Sequence, residues 1–392
     1  MRSACCLVLA LLAAPAVAAD VYRWVDEKGT VHYSNEAPPK NVKSTRVDVE
    51  AEPRAPVNDG GECYTVRCQG ERLEERLARR EQIEAREAIS AYYQNRISST
   101  QIIITPGTSI SYWYCFKLLA EPGDEILTPQ PSYPLFDYIA RLCGVTLTTY
   151  ALDESEGWAI DLEHLERQIG SRTRAIVLIS PHNPTGMVAS PEQLDELAGI
   201  AARYEIPIIS DEVFNEFLFD RDELPRPAFT DAPLVFTLNG FSKMFALPGM
   251  KIGWIGVSGD GHLVDRTLSA LELISDTFLP VSEAAQFAVP QIFARGQQFL
   301  DTYRQWIAGC RNVALECLAG CEVVPPAGGF YVTARLSTDE DHAALQLLRH
   351  NGILVHPGYF YDIAPDHLVM TFIQEHHDLR RAYSTIAQLC RK

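Results

Sequence analysis

From residue 101 onward, short apolar runs recur along the chain, and stretches with helical amphipathic spacing lie between most of them. The runs are Ile102–Ile104, Glu125–Leu127, Val145–Tyr150, Ala175–Ile179, Pro207–Ile209, Leu234–Leu238 and Ile252–Val257; Pro191 to Tyr204 is one of the amphipathic stretches. A mostly apolar run without alternation suits a strand buried on both faces. Strands alternating with helices predict an α/β architecture, a mostly parallel sheet covered by helices. Ligands of such sheets gather where loops leave the carboxyl ends of strands. The polar punctuation of this chain falls there. It comprises Thr105-Pro106-Gly107-Thr108-Ser109, Pro181-His182-Asn183-Pro184-Thr185-Gly186, Ser210-Asp211-Glu212 and Asn239-Gly240-Phe241-Ser242-Lys243.

Each segment has a bland reading beside a chemical one. Gly107-Thr108-Ser109, between a strand and a helix, can cradle a phosphate on free backbone N–H groups, or it can simply cap the helix. Asn183-Pro184-Thr185-Gly186 has the composition of a turn. Asp211 suits a buried, hydrogen-bonded carboxylate, and Lys243 an ordinary surface lysine. Taken one at a time, none decides the function.

In order and spacing, five motifs together resemble the pyridoxal-phosphate (PLP) aminotransferases of class I/II, fold type I. They are Gly107-Thr108-Ser109, Pro131-Ser132-Tyr133-Pro134, Asn183 to Gly186, Asp211-Glu212-Val213-Phe214, and Ser242-Lys243 with Leu247-Pro248-Gly249, Lys251 and Gly253. The resemblance runs from about Glu84 to the C-terminus. It implies a large PLP-binding domain with a mostly parallel sheet, plus a smaller C-terminal α/β domain. It makes Lys243 the Schiff-base lysine and proton shuttle, since a desolvated amine near a cationic ring has lowered basicity. Asp211 would face the pyridine nitrogen, Asn183 would donate to the ring oxygen, and Tyr133 would stack on the ring. Gly107, Thr108 and Ser109 would hold the phosphate, with Ser242 and Lys251 completing the cup. The cofactor is pyridoxal 5'-phosphate, the substrates are an amino acid and a 2-oxo acid, and a homodimer is implied.

Three positions depart from the family pattern. Phe214 stands where many relatives carry a tyrosine that bonds the ring oxygen. Lys251 replaces an arginine fork with a point charge. Val369, in His367-Leu368-Val369-Met370-Thr371-Phe372, stands where most relatives have the arginine that grips the substrate carboxylate. Arg335 is a possible substitute, set against an ordinary role as a surface strand residue. The amino donor and acceptor are therefore not legible.

The front of the chain has a different texture. Met1-Arg2, an apolar run from Ala4 to Ala18 and small residues before Asp20 read as a signal peptide over 1–19. Val21 to Ser34 alternates around a Gly-containing turn, which predicts a short β-hairpin module. This segment resembles a small domain of unknown function found in bacterial envelope proteins. Residues 40–61 read as a polar linker, which gives a β module with its linker over 20–61. Cys63 and Cys68 suit neither a zinc pair nor a thioredoxin-type motif; a local disulfide or two thiols both fit. Residues 62–87 read as a charged helix, ahead of a large domain over 88–297 and a connecting helix with the small domain over 298–392. The front thus replaces the longer N-terminal segment of the family.

Three functions follow. The first is an aminotransferase. The second is other PLP chemistry on the same fold, C–S β-elimination or decarboxylation. The third is a non-catalytic exported envelope protein, or the product of a gene fusion with an incomplete site. The signal points to the periplasm, whereas the family resembled is cytoplasmic. A net charge of −17 argues against nucleic acid as the main partner. No run is long enough to span a membrane. No metal site is expected: the six cysteines from Cys115 to Cys390 lack ligand spacing and read as buried small residues.

Overall fold

A computed structural model describes residues 21–25, 31–34, 44–47, 82–278 and 280–390, the first three segments as backbone strands. The chain divides into two compact units, Met1–Glu71 and Arg72–Lys392. The expected signal peptide, Cys63, Cys68 and the charged helix up to residue 81 lie outside the described residues.

In the first unit, β1 (Val21–Val25) pairs antiparallel with β2 (Val31–Ser34), in the register Tyr22↔Ser34 to Val25↔Val31. This is the expected hairpin. The other edge of β1 takes β3 (Ser44–Val47), so the sheet order is β2-β1-β3. Residues 44–47 are therefore a strand, where the polar composition predicts linker. Backbone pairing along an open edge needs no apolar side chain, and Thr45 and Val47 are β-branched.

The second unit opens with helix α1, residues 82–92. It is continuous through residues 87 and 88, where the texture of the sequence changes. Ala85 and Ile89 on its buried face, with Tyr93 just beyond, pack against Ile104, Phe241 and Trp254. The unit then alternates as expected: β4 (Ile102–Thr105), α2 (Thr108–Leu119), β5 (Glu125–Gln130), α3 (Leu135–Cys143), β6 (Thr146–Asp153), β7 (Ala159–Ile160), α4 (Leu162–Gln168), β8 (Thr173–Ile179), α5 (Pro191–Tyr204), β9 (Ile208–Asp211), β10 (Leu234–Gly240), α6 (Phe241–Met244), β11 (Gly253–Gly259) and α7 (Gly261–Thr277). Helix α5 shows why the boundaries fall where they do. Ser190 and Gln193 form a reciprocal capping box and Pro191 opens the first turn. Leu194, Leu197, Ala198 and Ala201 then line one buried face.

The eight strands order as β4-β11-β10-β9-β8-β5-β6-β7. Strands β10, β9, β8, β5 and β6 run parallel. Strand β11 is antiparallel to both β10 and β4, so β4 shares their direction. The carboxyl ends of β4, β5, β8, β9 and β10 and the amino end of β11 therefore meet at one edge. Alternate residues of β8 face opposite ways: Val177 and Ile179 join the core under α2 and α3, and Ile176 and Leu178 the core under α4 and α5. That explains the near-continuous apolar run.

Helix α8 (Glu283–Cys317) is one rod of 35 residues. It leads to a smaller antiparallel sheet, β12 (Tyr331–Arg335), β14 (His367–Thr371) and β13 (His356–Pro357), in the order β12-β14-β13. Helix α9 (Glu340–Gln346) lies between β12 and β13 in the chain, and α10 (His376–Cys390) packs with α8 over Leu368, Met370 and Phe372. Of the six expected buried cysteines, Cys115, Cys143, Cys310 and Cys390 are buried, and Cys317 and Cys321 only partly. Among the described residues, no helix is long and apolar enough to cross a membrane.

Candidate active site

Helix α2 starts at Gly107, whose φ of +111° suits glycine, and no side chain caps it. Ile110 N and Ser111 N both donate to the Gly107 carbonyl at 3.1 Å. Among the described residues nothing takes the N–H groups of Thr108 and Ser109, which is the usual state of an anion-accepting helix start. The neighbouring backbone is closely packed. A Cβ on Gly253 would lie 2.9 Å from the Gly107 Cα, and one on Gly240 would lie 2.6 Å from the Ile252 carbonyl oxygen. This approach brings the β10–β11 connection, which carries Ser242 and Lys251, against the start of α2 at Gly253. Lys251 is exposed and Ser242 half-buried.

Two strands along, Asp211 ends β9. Its carboxylate accepts from the Tyr112 hydroxyl at 2.8 Å and from Val213 N at 3.1 Å. Burial pushes it up to about 6, although both hydrogen bonds and Lys243 pull the other way. Lys243 follows β10 on α6. Its amine is lowered by burial, with Asp211 opposing the shift. It makes no hydrogen bond or ion pair among the described residues, and its Nζ lies 5.9 Å from the centre of the Phe214 ring. A lysine held so is a poorly solvated amine with one carboxylate in range.

Strand β8 contributes the third group. Ser180 N donates to the Asp211 carbonyl at 3.0 Å, which holds the two strand ends together. Beyond it, the Asn183 amide oxygen is buried without a hydrogen-bond partner. His182 Nδ1 and Thr185 Oγ1 lie 2.9 Å apart, and burial pushes His182 down to about 3, so the ring is neutral. Gly186 has φ +72°, and a Cβ there would meet Pro326 Cβ at 2.3 Å, so the turn accepts only glycine. Tyr133, after β5, is 41% exposed and sits in electrostatic contact with Tyr331 and Tyr361.

The fold thus gathers Gly107, Thr108, Ser109, Asn183, Asp211, Ser242, Lys243 and Lys251 at one sheet edge, with Tyr133 on the neighbouring loop. Arg335 does not join them. It pairs with Glu154 at 2.5 Å and with Glu322 at 3.5 Å, so it is committed elsewhere and is not available as a substitute for an arginine at Val369. Two further features have no sequence signal. Tyr112, the Asp211 donor, is an interior helix residue 99 positions away. A buried polar chain ties the site to α1: Asn239 donates to Asn215 at 3.1 Å, Asn215 to Tyr92, and Tyr92 to Glu216, which pairs with Arg304. Glu212 pairs with Arg226 at 2.7 Å beside it.

The donor set fits a flat ring bearing a phosphate and an aldehyde. Uncapped N–H groups stand at one end and a buried carboxylate at the other. The orphaned Asn183 amide follows the neighbouring strand β8, and a desolvated amine follows β10. Comparison with known proteins agrees. The sequence model of the family "Aminotransferase class I and II" matches residues 69–386, and that of a domain of unknown function (DUF4124) matches residues 8–59. The chain is similar to an alanine aminotransferase of Mycobacterium tuberculosis, 29% identical over 76% of this chain and 74% of that protein. It is similar to a glutamate-pyruvate aminotransferase of Escherichia coli, 29% identical over 78% of this chain and 79% of that one. Among solved structures, the alanine aminotransferase from Pyrococcus furiosus superposes with a TM-score of 0.73 at 25% identity, covering 78% of this chain and 81% of the other.

Proposed function

The chain belongs to the class I and II aminotransferases, and from that premise we propose that it moves an amino group between an amino acid and a 2-oxo acid on pyridoxal 5'-phosphate held by Lys243. The observation that carries this is the desolvated Lys243 amine beside buried Asp211 at the edge where the uncapped start of α2 lies. Bound there, the cofactor supplies an aldehyde that takes up an amine and a ring that withdraws electrons from the substrate α-carbon.

The chain's own residues do the rest. The N–H groups of Thr108 and Ser109, with Gly107, Ser242 and Lys251, hold the phosphate. Asp211 keeps a proton on the ring nitrogen, and Tyr112 fixes the carboxylate that does so. Asn183 turns its amide so that the N–H₂ side donates to the ring oxygen. Phe214 adds no second donor there. Tyr133 covers the ring face. Lys243, once free, would be the base that takes the proton from the substrate α-carbon and holds it on Nζ for return. Its lowered basicity keeps a larger share of the amine neutral for that task.

Borohydride treatment of protein loaded with pyridoxal phosphate should fix the cofactor's mass on Lys243, read by peptide mass spectrometry, and Lys243→Ala should carry none. Wild type without the added mass would end this reading.

We propose further that the enzyme works as a homodimer and that residues 1–19 export it. Leu273, Phe278 and Phe287 are 69%, 49% and 60% exposed, more apolar surface than one copy gains from leaving in water. Light scattering should give twice the chain mass of 43.7 kDa, less the signal. N-terminal sequencing of the periplasmic fraction should begin at Ala19 or Asp20; an uncut cytoplasmic protein would refute export. The domains we assign are the β module with its linker over 20–61, the charged helix over 62–87, the large domain over 88–297, and α8 with the small domain over 298–392.

A further inference from the structure

Asp211 and Lys243 leave the sheet on different segments. Asp211 and Phe214 stand at the end of β9 and on the turn after it, and Lys243 stands on α6 after β10. At the strand ends the backbone joins the two, with Glu212 N donating to the Leu238 carbonyl at 2.9 Å. Beyond that point they meet through side chains. Asn239, which precedes α6, donates from Nδ2 to Asn215 Oδ1 at 3.1 Å, and Asn215 follows Phe214 directly.

The bonds that continue from there have one direction. Gly240 N can only donate, and it donates to Asn239 Oδ1 at 2.7 Å. The Asn239 amide must therefore turn its N–H₂ outward, to Asn215 Oδ1. Asn215 in turn gives its own N–H₂ to the Tyr92 hydroxyl oxygen. That leaves the hydroxyl its hydrogen, which goes at 2.5 Å to Glu216, a carboxylate that only accepts. Arg304, on α8, pairs with the same carboxylate and donates from Nε to the Glu216 carbonyl at 3.1 Å. A backbone donor fixes the inner end and an ion pair fixes the outer one, so neither amide can flip without breaking the series.

Tyr92 ends α1, and its single oxygen both accepts and donates in this series. Burial around that oxygen pushes the phenol up, so it stays a neutral hydroxyl able to do both. Its ring stacks on Phe293 with centroids 5.5 Å apart, a contact that does not depend on the hydroxyl. Asn239, Asn215 and Glu216 are buried. At the outer end a crevice of about 180 Å³ is lined by Tyr92, Asn215, Glu216 and Arg304, so the hydroxyl also stands between water and the Asn215 amide.

We propose that Tyr92 is a positioning residue for the site: by joining Asn215 to Glu216 it locks the Asp211–Phe214 turn against the start of α6, and so sets where Lys243 stands relative to Asp211. The proposal rests on the aminotransferase reading for what Lys243 does, and on the hydrogen bonds alone for how Lys243 is held. Without the hydroxyl, the Asn215 amide loses its acceptor and Glu216 its donor. The two segments are then free to part, and the amine moves toward water. Burial is the larger influence on Lys243, ahead of Asp211, so a released amine becomes more basic.

The test reads Lys243 in two ways on the full chain. Without cofactor, the chain is labelled with acetic anhydride across a pH series and Lys243 is followed by peptide mass spectrometry. With cofactor, the pyridoxal phosphate concentration that gives half-maximal borohydride fixation on Lys243 is measured. In Tyr92→Phe the labelling curve should move to higher pH, and the half-maximal concentration should rise by roughly tenfold, as an unpaired buried amide requires. Asn215→Ala should do the same, and the double variant should go no further than either single one. Ser90→Ala is the structural control. It removes a hydroxyl on the same helix that donates to the Ile97 carbonyl at 2.7 Å, and it should lower the melting temperature without moving Lys243. If Tyr92→Phe likewise lowers only the melting temperature, the proposal is overturned. A double variant that shifts Lys243 by the sum of the two single ones would overturn it as well. If wild type fixes no cofactor, the aminotransferase reading falls, and the labelling curves still decide the positioning.

Discussion

Asp211 sets a measurable pH dependence. Its carboxyl rises from 3.8 to about 6 in the folded, cofactor-free chain, which corresponds to roughly 3 kcal/mol. The folded state then holds its proton more tightly than the unfolded one. This contribution to stability is present below pH 3.8 and is lost as pH rises through about 6. Asp211→Asn should therefore be more stable than wild type in urea at pH 8, with the gap closing toward pH 4. A gap that widened on acidification would contradict the assignment. Tyr112→Phe should move the loss to higher pH, because the hydroxyl stabilises the charged form. The sequence offered Lys243, Asp211 and Asn183 directly, since each follows a short apolar run whose direction the α/β pattern predicts. It did not offer Tyr112. Tyr112 meets Asp211 across 99 residues, so no local spacing marks it.

The approach of β4, β10 and β11 decides whether the phosphate end forms. Gly253→Ala would place a methyl 2.9 Å from the Gly107 Cα, a backbone atom that cannot rotate away. We expect it to cost on the order of 1–3 kcal/mol in urea unfolding and to weaken pyridoxal-phosphate affinity measured by fluorescence. A variant with unchanged affinity would remove Gly107–Ser109 from the cup. The α/β alternation was legible because buried parallel strands carry continuous apolar runs and their covering helices carry caps, as Ser190 and Gln193 do for α5. Strand β3 was not legible. It is an edge strand with half-polar composition, and its partner β1 is what makes it a strand. Helix α1 runs through the change in texture at residue 87. Its charged residues stop at Glu87, while Ala85 and Ile89 continue one buried face across that point.

The whole molecule joins two families of sequence. Arg72–Lys392 forms one unit, and within it Arg86 pairs with Glu272 on α7. A fragment starting at residue 72 should therefore retain the unfolding midpoint of the second unit. One starting at residue 88 should melt lower, having lost Ala85 and Arg86, and differential scanning calorimetry would separate them. Equal midpoints would mean that α1 contributes nothing. The continuity of α8 has a further consequence. Its 35 residues make a rod about 52 Å long that belongs to both sheets, so a cut near residue 298 would leave half a helix on each side. What precedes α1 can differ without cutting either sheet, since both lie after it in the chain. The two sheets have no such seam between them, and they must be inherited together.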